Sequence, residues 1–395
     1  MAITKYDKKT IGKDIANFIE KIVRKNYKQN KIFLHEPLLD KKDEKALSDV
    51  IKTRFVSTVG KKISVFENRI KKFTGSKYVL ALNSGTSALH LSLLSLGVKQ
   101  DEEILISSLS FIASSNAISY CGAKCHYVEL MNEGYGIDYI KLKKYLKLNC
   151  YVKKNECINR KTKKVIKALI VVHIFGSCND LDKIFKICKE YNIKIIEDAA
   201  EALGSFYKRK HLGTVGNVGI ISFNGNKIIT TGSGGCIITN NKKIYQKCLS
   251  LATTCKVPHK WNFVYSGLGY NYKMNNVQAA LGISQLKKIN KILNLKKKIF
   301  DNYKNSFKNN QYFDFFCPPK YCKSNNWLNS IIIKKKFINY KEDILLNLIK
   351  NKIFCRSIWP LMALSPHLRN SKKMNLTNAK KISESVICLP SSPKF

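Results

Sequence analysis

Between positions 197 and 239 the chain reads EDAAEALGSFYKRKHLGTVGNVGIISFNGNKIITTGSGGCIIT. A strand-like run, Ile193 to Asp198, ends on an acid. A Ser-Phe pair (Ser222, Phe223), a lone lysine (Lys227) and a glycine cluster (Gly232, Gly234, Gly235) follow. One carboxylate, one hydroxyl and one amine, each at the edge of a short strand, are what a pyridoxal phosphate site requires. The ring nitrogen needs an anion to stay protonated, the phosphate needs hydroxyl and amide donors, and the aldehyde needs a lysine for a Schiff base. Taken singly, Asp198 also suits a strand-end turn, Lys227 a solvated surface, and Gly232–Gly235 a hairpin. It is their order that points to the cofactor.

The flanking segments predict the elements that would hold these groups. Tyr78–Leu82 reads as a strand, Asn83–Ser87 as a turn with helix-capping chemistry, and Ala88–Leu96 as a helix. A strand running through a small-residue turn into a helix presents amide donors and the positive end of the helix dipole, which suits a phosphate. Glu103–Ser107 and Cys125–Glu129 are further strands, with a helix opening near Ser110 between them. The nearly unbroken apolar run Val165–His173 reads as a buried parallel strand, Leu181–Tyr191 as a helix, and Ile193–Asp198 as the strand that delivers Asp198. Strands alternating with helices from 78 to 198 predict an α/β fold with a mostly parallel sheet. Its site should lie at the carboxyl ends of the strands, where Phe111, His173 and Asp198 all fall.

The segments EDAAEALGS and SFNGNKIITTGSGG, with the opening LHEP and RFVSTVGKKISVFENRIKKFTGSKYVLALNSGTSALHLSLLSLGV, resemble the DegT-type sugar-nucleotide aminotransferases. The resemblance runs from about Leu34 to Pro393. It is nearest to the subgroup that aminates C4 of UDP-4-keto-6-deoxy-N-acetylglucosamine, as in legionaminic or bacillosamine pathways. It implies the fold-type-I, aspartate-aminotransferase-like architecture: a large domain with a mostly parallel central sheet and a smaller α+β C-terminal domain. Boundaries of 1–50 for an N-terminal helix and lead-in, 51–255 for the large domain and 256–395 for the small one follow. By the same resemblance Asp198 is the pyridinium partner, Lys227 the Schiff-base lysine and Ser222 a phosphate ligand. Gly85 and Thr86 sit where the cofactor phosphate is cradled, and Phe111 where an aromatic stacks on the ring. Position 201, often Gln in relatives and facing the cofactor's 3-hydroxyl, is Glu201 here.

The segment GLGYNYKMNNVQAAL matches a family stretch whose Asn reaches the phosphate of the neighbouring subunit. Asn271 is the matching residue, which implies a homodimer with shared sites. Lys273 stands where Arg is usual, and Asn275 replaces a common Pro. Position 233, commonly Glu or Gly, is Ser233. His173 is either a residue near the cofactor or a satisfied structural histidine. Arg356 is either an anion contact or a surface ion pair. His35 reads as a loop residue, and Thr53–Gly60 as a wall of the sugar-nucleotide site.

The formal charge of +43 rests on 70 Lys and Arg against 27 Asp and Glu. Such an excess normally raises nucleic acid or an anionic membrane as partner. The lysines are instead scattered along the chain, often beside Asn and Ile, with only short runs at Lys296–Lys298 and Lys334–Lys336. We expect no nucleic-acid and no membrane partner, because no stretch approaches the ~20 apolar residues of a spanning helix. The 13 cysteines show no metal-ligand clustering, so no metal site is expected, and a reducing cytoplasm is the simplest compartment. The N-terminus lacks the apolar core of a secretory signal. In outer segments, Ile11, Ile15, Phe18 and Ile22 predict an amphipathic helix docking on the small domain. Residues 149–164 read as a lysine-rich polar insertion without chemistry, a long helix is expected from Lys242, and Val277–Ser306 reads as helical and lysine-rich.

The reaction implied is transfer of the amino group of L-glutamate to C4 of a nucleotide-linked 4-keto-6-deoxy sugar. A GDP-perosamine synthase-like activity is the nearer rival and a non-enzymatic DegT-like regulator the remoter one. Lys227 argues against the related 3-dehydratases, in which His replaces it.

Overall fold

A computed structural model describes residues 5–394 of the chain. Nine strands organise it, numbered here in chain order: β1 Tyr78–Leu82, β2 Glu103–Ser107, β3 Lys124–Val128, β4 Cys150–Lys153, β5 Glu156–Asn159, β6 Val165–Val172, β7 Lys194–Asp198, β8 Val218–Ser222 and β9 Gly235–Thr239. The central sheet runs β1-β9-β8-β7-β6-β2-β3, with the short strand Lys372–Lys373 beside β3. From β8 to β3 every pairing is parallel, while β9 lies antiparallel to both β8 and β1. This is the expected α/β architecture. Strands β2 and β8 are buried at every position, which is why they read as apolar runs rather than as alternation.

The parallel strands end together, so Ser107, Val172, Asp198 and Ser222 reach one edge of the sheet. The helix Gly85–Ser95 starts at that edge after β1. Ser84 caps it, its side chain accepting from the Ser87 amide at 3.0 Å. The glycine cluster after Lys227 has a steric purpose. A Cβ on Gly235 would lie 2.6 Å from the Gly85 nitrogen, so only glycine lets β9 pass against the turn that opens this helix.

A second, four-stranded antiparallel sheet forms from Phe313–Phe315, Asn329–Ile333, Val386–Leu389 and Arg356–Ser357. Ile15, Ile19 and Val23 of the helix Lys5–Asn26 pack with Ile331, Ile344 and Ile387 in one apolar cluster. The N-terminal helix therefore docks on the C-terminal sheet, as its periodicity predicts.

Two segments differ from expectation, and a third is divided. Residues 149–164 are not a loose polar insertion. β4 and β5 form a hairpin whose second strand pairs antiparallel with β6 and widens the central sheet. Buried Asn159 and neighbouring Thr162 donate to the Glu103 carboxylate at 2.9 and 2.6 Å, ties that polar composition cannot announce. The helix after Lys242 is short, Lys242–Ala252, and packs on β1 and the helix Gly85–Ser95 instead of leading away. The stretch 277–306 is two helices, Asn276–Lys287 and Ile289–Ser306, broken at Lys288. Lys288 departs from helical geometry (φ −110°, ψ 10°), its ammonium bonded to Asp43 at 2.5 Å and Asp40 at 2.9 Å. Asn275, which stands where relatives often carry Pro, caps the first of these helices with a reciprocal bond to Gln278. Among the described residues no helix is long and apolar enough to cross a membrane.

Candidate active site

Asp198 is the last residue of β7 and is 5% exposed. Parallel pairing on both sides fixes its backbone, since it lies opposite Val172 of β6 and Ile220 of β8. Its carboxylate accepts from the Ser114 hydroxyl at 2.6 Å and from the Ala200 amide at 3.2 Å. Its neighbour Glu197 alternates to the opposite face of the strand, as a two-residue period requires. There Glu197 accepts from His173 Nε2 at 2.9 Å and from the amides of Gly213, Val215 and Gly216 at 2.8, 2.7 and 2.5 Å.

Burial works against the Glu197 charge, but His173 and the glycine amides outweigh it and hold the carboxyl below its usual range. A carboxyl depressed by folding contributes stability above its unfolded value and loses it as the pH falls through the folded one. Glu197→Ala should therefore cost about 3–5 kcal/mol at neutral pH by leaving His173 and three amides without their acceptor. The deficit should shrink as acid below the normal carboxylate range protonates the wild type. Urea unfolding at neutral and acid pH measures both.

A cavity of about 820 Å³ opens over the strand ends. Asp198, Ser222, Lys227, Glu201, Gly85 and Thr86 all line it, and so do Phe111 and Arg356. Phe111 is 56% exposed and precedes the helix Ile112–Tyr120, its ring centroid 6.5 Å from that of Trp359. Ser222 closes β8 against the helix start: a Cβ on Gly85 would meet the Ser222 Cβ at 3.1 Å and its Oγ at 3.3 Å. A hydroxyl and the first amides of a helix thus share one corner, with the helix dipole behind them.

The Lys227 amine lies 3.1 Å from Glu201 Oε1 and 4.0 Å from the centre of the Trp327 indole. Glu201 Oε2 accepts from the Phe175 amide at 2.9 Å. Burial pushes the Glu201 carboxyl above its usual range, opposed by Lys227. Trp327 is anchored three times, its indole N–H donating to the Asn226 carbonyl at 2.7 Å, its amide to Asn325 Oδ1 at 2.9 Å, and its carbonyl accepting from Lys296 at 2.5 Å.

The donor set fits pyridoxal phosphate: a hydroxyl-and-amide corner for the phosphate, a buried carboxylate for the ring nitrogen and an amine for the aldehyde, all lining one cavity. The corner is also tight enough that a single methyl group on Gly85 would crowd it.

Four further positions or stretches read from the sequence do not line this cavity. His173 ends at the same sheet edge but faces Glu197 behind the strand and does not line the cavity. Thr53–Gly60 does not line it either; Phe55 and Val59 there are exposed, and the Phe55 carbonyl accepts from Asn276 at 2.6 Å. Asn271 is exposed outside the cavity, bridged to Thr253, its carbonyl accepting from Asn83 at 3.4 Å. His35 lies in a loop, as expected, half-buried with both ring nitrogens enclosed and without a hydrogen-bond partner, and burial of the ring, Lys296 and Lys227 hold it well below the usual histidine value. Sequence reasoning missed Ser114 and Trp327. Ser114 could have been found, because it lies one helical turn from Phe111. Trp327 is a hundred residues from Lys227 and carries no local signal.

Fold and site together define a pyridoxal-phosphate enzyme of the fold-type-I aminotransferase class. The chain belongs to the DegT/DnrJ/EryC1/StrS aminotransferase family, whose model matches residues 37–395. It is 32% identical over 367 residues to GDP-perosamine synthase of Vibrio cholerae, covering 91% of this chain and 94% of that one. It is 35% identical over 312 residues to the UDP-4-amino-4,6-dideoxy-N-acetyl-beta-L-altrosamine transaminase of Campylobacter jejuni, covering 79% of each. Among solved structures, the Helicobacter pylori aminotransferase PseC, involved in pseudaminic acid biosynthesis, superposes with a TM-score of 0.82 at 28% identity, over 91% of this chain and 93% of that one. The chain is a sugar-nucleotide aminotransferase of this family.

Proposed function

We propose that the protein transfers the amino group of L-glutamate to C4 of a nucleotide-linked 4-keto-6-deoxy sugar, with UDP-4-keto-6-deoxy-N-acetylglucosamine the favoured acceptor. The product would serve surface-polysaccharide or nonulosonic acid synthesis. The observation that carries this reading is the convergence of Asp198, Ser222 and Lys227 in one cavity over the strand ends. Pyridoxal phosphate supplies an aldehyde that captures amines and a ring that accepts an electron pair. Asp198, oriented by Ser114 and the Ala200 amide, holds the proton on the ring nitrogen. Ser222 and the amides of Gly85 and Thr86 bind the phosphate, and Phe111 covers the ring. The Lys227 amine would hold the aldehyde, and the same amine could move a proton at the substrate carbon. Arg356, exposed at the cavity edge, offers its planar guanidinium to the nucleotide diphosphate or to the donor's carboxylate.

The division into 1–50, 51–255 and 256–395 belongs to the same proposal, as does a homodimer in which Asn271 serves the neighbouring site. The hairpin of Lys256–Val257 and Val264–Tyr265 supports the dimer: Trp261 and Phe263 beside it are each 76% exposed. Aromatic surface on that scale marks an interface, and sedimentation at the mass of one chain would remove it. All 13 cysteines are free, which suits the cytoplasm.

A GDP-linked acceptor is the second reading, motivated by the identity with a relative named GDP-perosamine synthase. Incubation with L-glutamate and a panel of UDP- and GDP-linked 4-keto sugars, read by mass, tests both. The expected result is a new amino sugar on a UDP acceptor. Amination confined to GDP sugars selects the second reading, and amination of neither overturns both.

A further inference from the structure

Lys227 and Glu201 are the only amine and carboxyl that line the cavity within hydrogen-bond distance of each other among the described residues. Both are largely buried, with side-chain exposures of 13% and 7%. One Glu201 oxygen is committed to the Phe175 amide, which fixes the carboxyl plane, and the other points at the Lys227 nitrogen. Trp327 covers another side of that nitrogen. Glu201 Oε1 is the proton acceptor within hydrogen-bond reach of this amine among the described residues. The amine must lose a proton before its lone pair can attack an aldehyde, and it must be unprotonated again to take one from a substrate carbon.

We propose that Glu201 is a further catalytic residue, the carboxyl that exchanges a proton with the Lys227 amine. The inference rests on the cofactor reading above. The proton moves from Lys227 Nζ to Glu201 Oε1, and the N–H bonding pair stays on nitrogen as its lone pair. That pair bonds the aldehyde carbon, whose oxygen leaves as water with the two hydrogens remaining on the amine. On release the same carboxyl returns its proton to Nζ.

The surroundings suit the exchange. Burial favours the neutral acid and, with a smaller push from Asp198, outweighs Lys227 and the Phe175 amide, so the Glu201 carboxyl sits above its usual range and can accept a proton. The other titratable groups facing the pair are His35, kept neutral by burial, Lys296 and Lys227, and Cys388, kept a thiol by burial and by Glu201. Neither competes for the proton near neutrality.

The test follows the uptake of pyridoxal phosphate by cofactor-free protein, read as the growth of visible absorbance over about two pH units around neutrality. In wild type the proton stays inside the pair, and the rate is nearly flat. In Glu201→Gln the ammonium has no carboxyl within hydrogen-bond reach to receive its proton, so it must lose it to solvent. The uptake rate then rises about tenfold per pH unit, the signature of one proton lost to water. Glu201→Asp, which keeps a carboxyl, restores a flat profile even if uptake is slower. A structural role would lower the rate equally at every pH. A flat profile in Glu201→Gln, or a sloped one in Glu201→Asp, overturns the proposal and leaves the cofactor reading standing. Wild type that takes up no cofactor overturns both.

Discussion

Lys227→Ala should abolish both the yellow colour of the purified protein and its aminotransferase activity. The side chain lies in the cavity with its amine between Glu201 and Trp327, and among the described residues no other lysine lines that cavity. Removing a covalent nucleophile that also carries the proton costs about 10,000-fold or more in turnover, because both tasks vanish together. The protein should still fold. The truncation removes an aliphatic stem and one ion pair at the cavity surface and leaves Glu201 its amide donor from Phe175. The measurement is an absorbance spectrum beside single-turnover kinetics with L-glutamate. A variant that keeps the visible band after dialysis would remove Lys227 from its proposed role, and with it the alignment of the whole cavity.

Asp198→Asn separates binding from chemistry. The amide has the shape of the carboxylate: its oxygen can still accept from the Ala200 amide and its NH2 can donate to the Ser114 hydroxyl, so the cavity keeps its form and Lys227 still captures the aldehyde. What disappears is the anion that keeps the ring nitrogen protonated. An opposite charge at this range is worth about one to three pKa units, so the electron sink weakens and turnover falls about 10- to 1,000-fold. Colour should persist, with a shifted band, while the half-reaction with glutamate slows. If Asp198→Asn turns over at the wild-type rate, some other group holds that proton. The two variants fail differently, one in colour and activity, the other in activity alone, and a general loss of folding would reproduce neither pattern.

Much of the site was legible before any coordinates. Asp198, Ser222 and Lys227 stand at strand ends, and strand ends can be located from apolar runs bounded by turns. The phosphate corner was legible because Asn83–Ser87 combines an N-cap serine with glycine at a helix start. The alternating strands and helices from 78 to 198 foretold the parallel sheet, since each crossover needs a helix of its own.

Other features had no local signature. His173 and Asp198 reach the same edge of the sheet, yet the pleat sends one behind it with Glu197 and the other into the cavity. Which face a residue takes in a fully buried strand cannot be read from apolar neighbours on both sides. Residues 149–164 look polar but complete a sheet, because Asn159 and Thr162 spend their polarity on buried Glu103. The break at Lys288 depends on Asp40 and Asp43, some 245 positions earlier.

The sequence alone determined the chemical groups, their order and the class of sheet that carries them, because these follow from side-chain chemistry and from periodicity over a few residues. Tertiary structure alone decided which groups meet: Ser114 on Asp198, Glu201 and Trp327 on Lys227, Glu197 on His173. Those contacts span from 24 to about 100 positions along the chain. Distances of that kind are set by the packing of whole elements, to which no short stretch of residues gives a local clue.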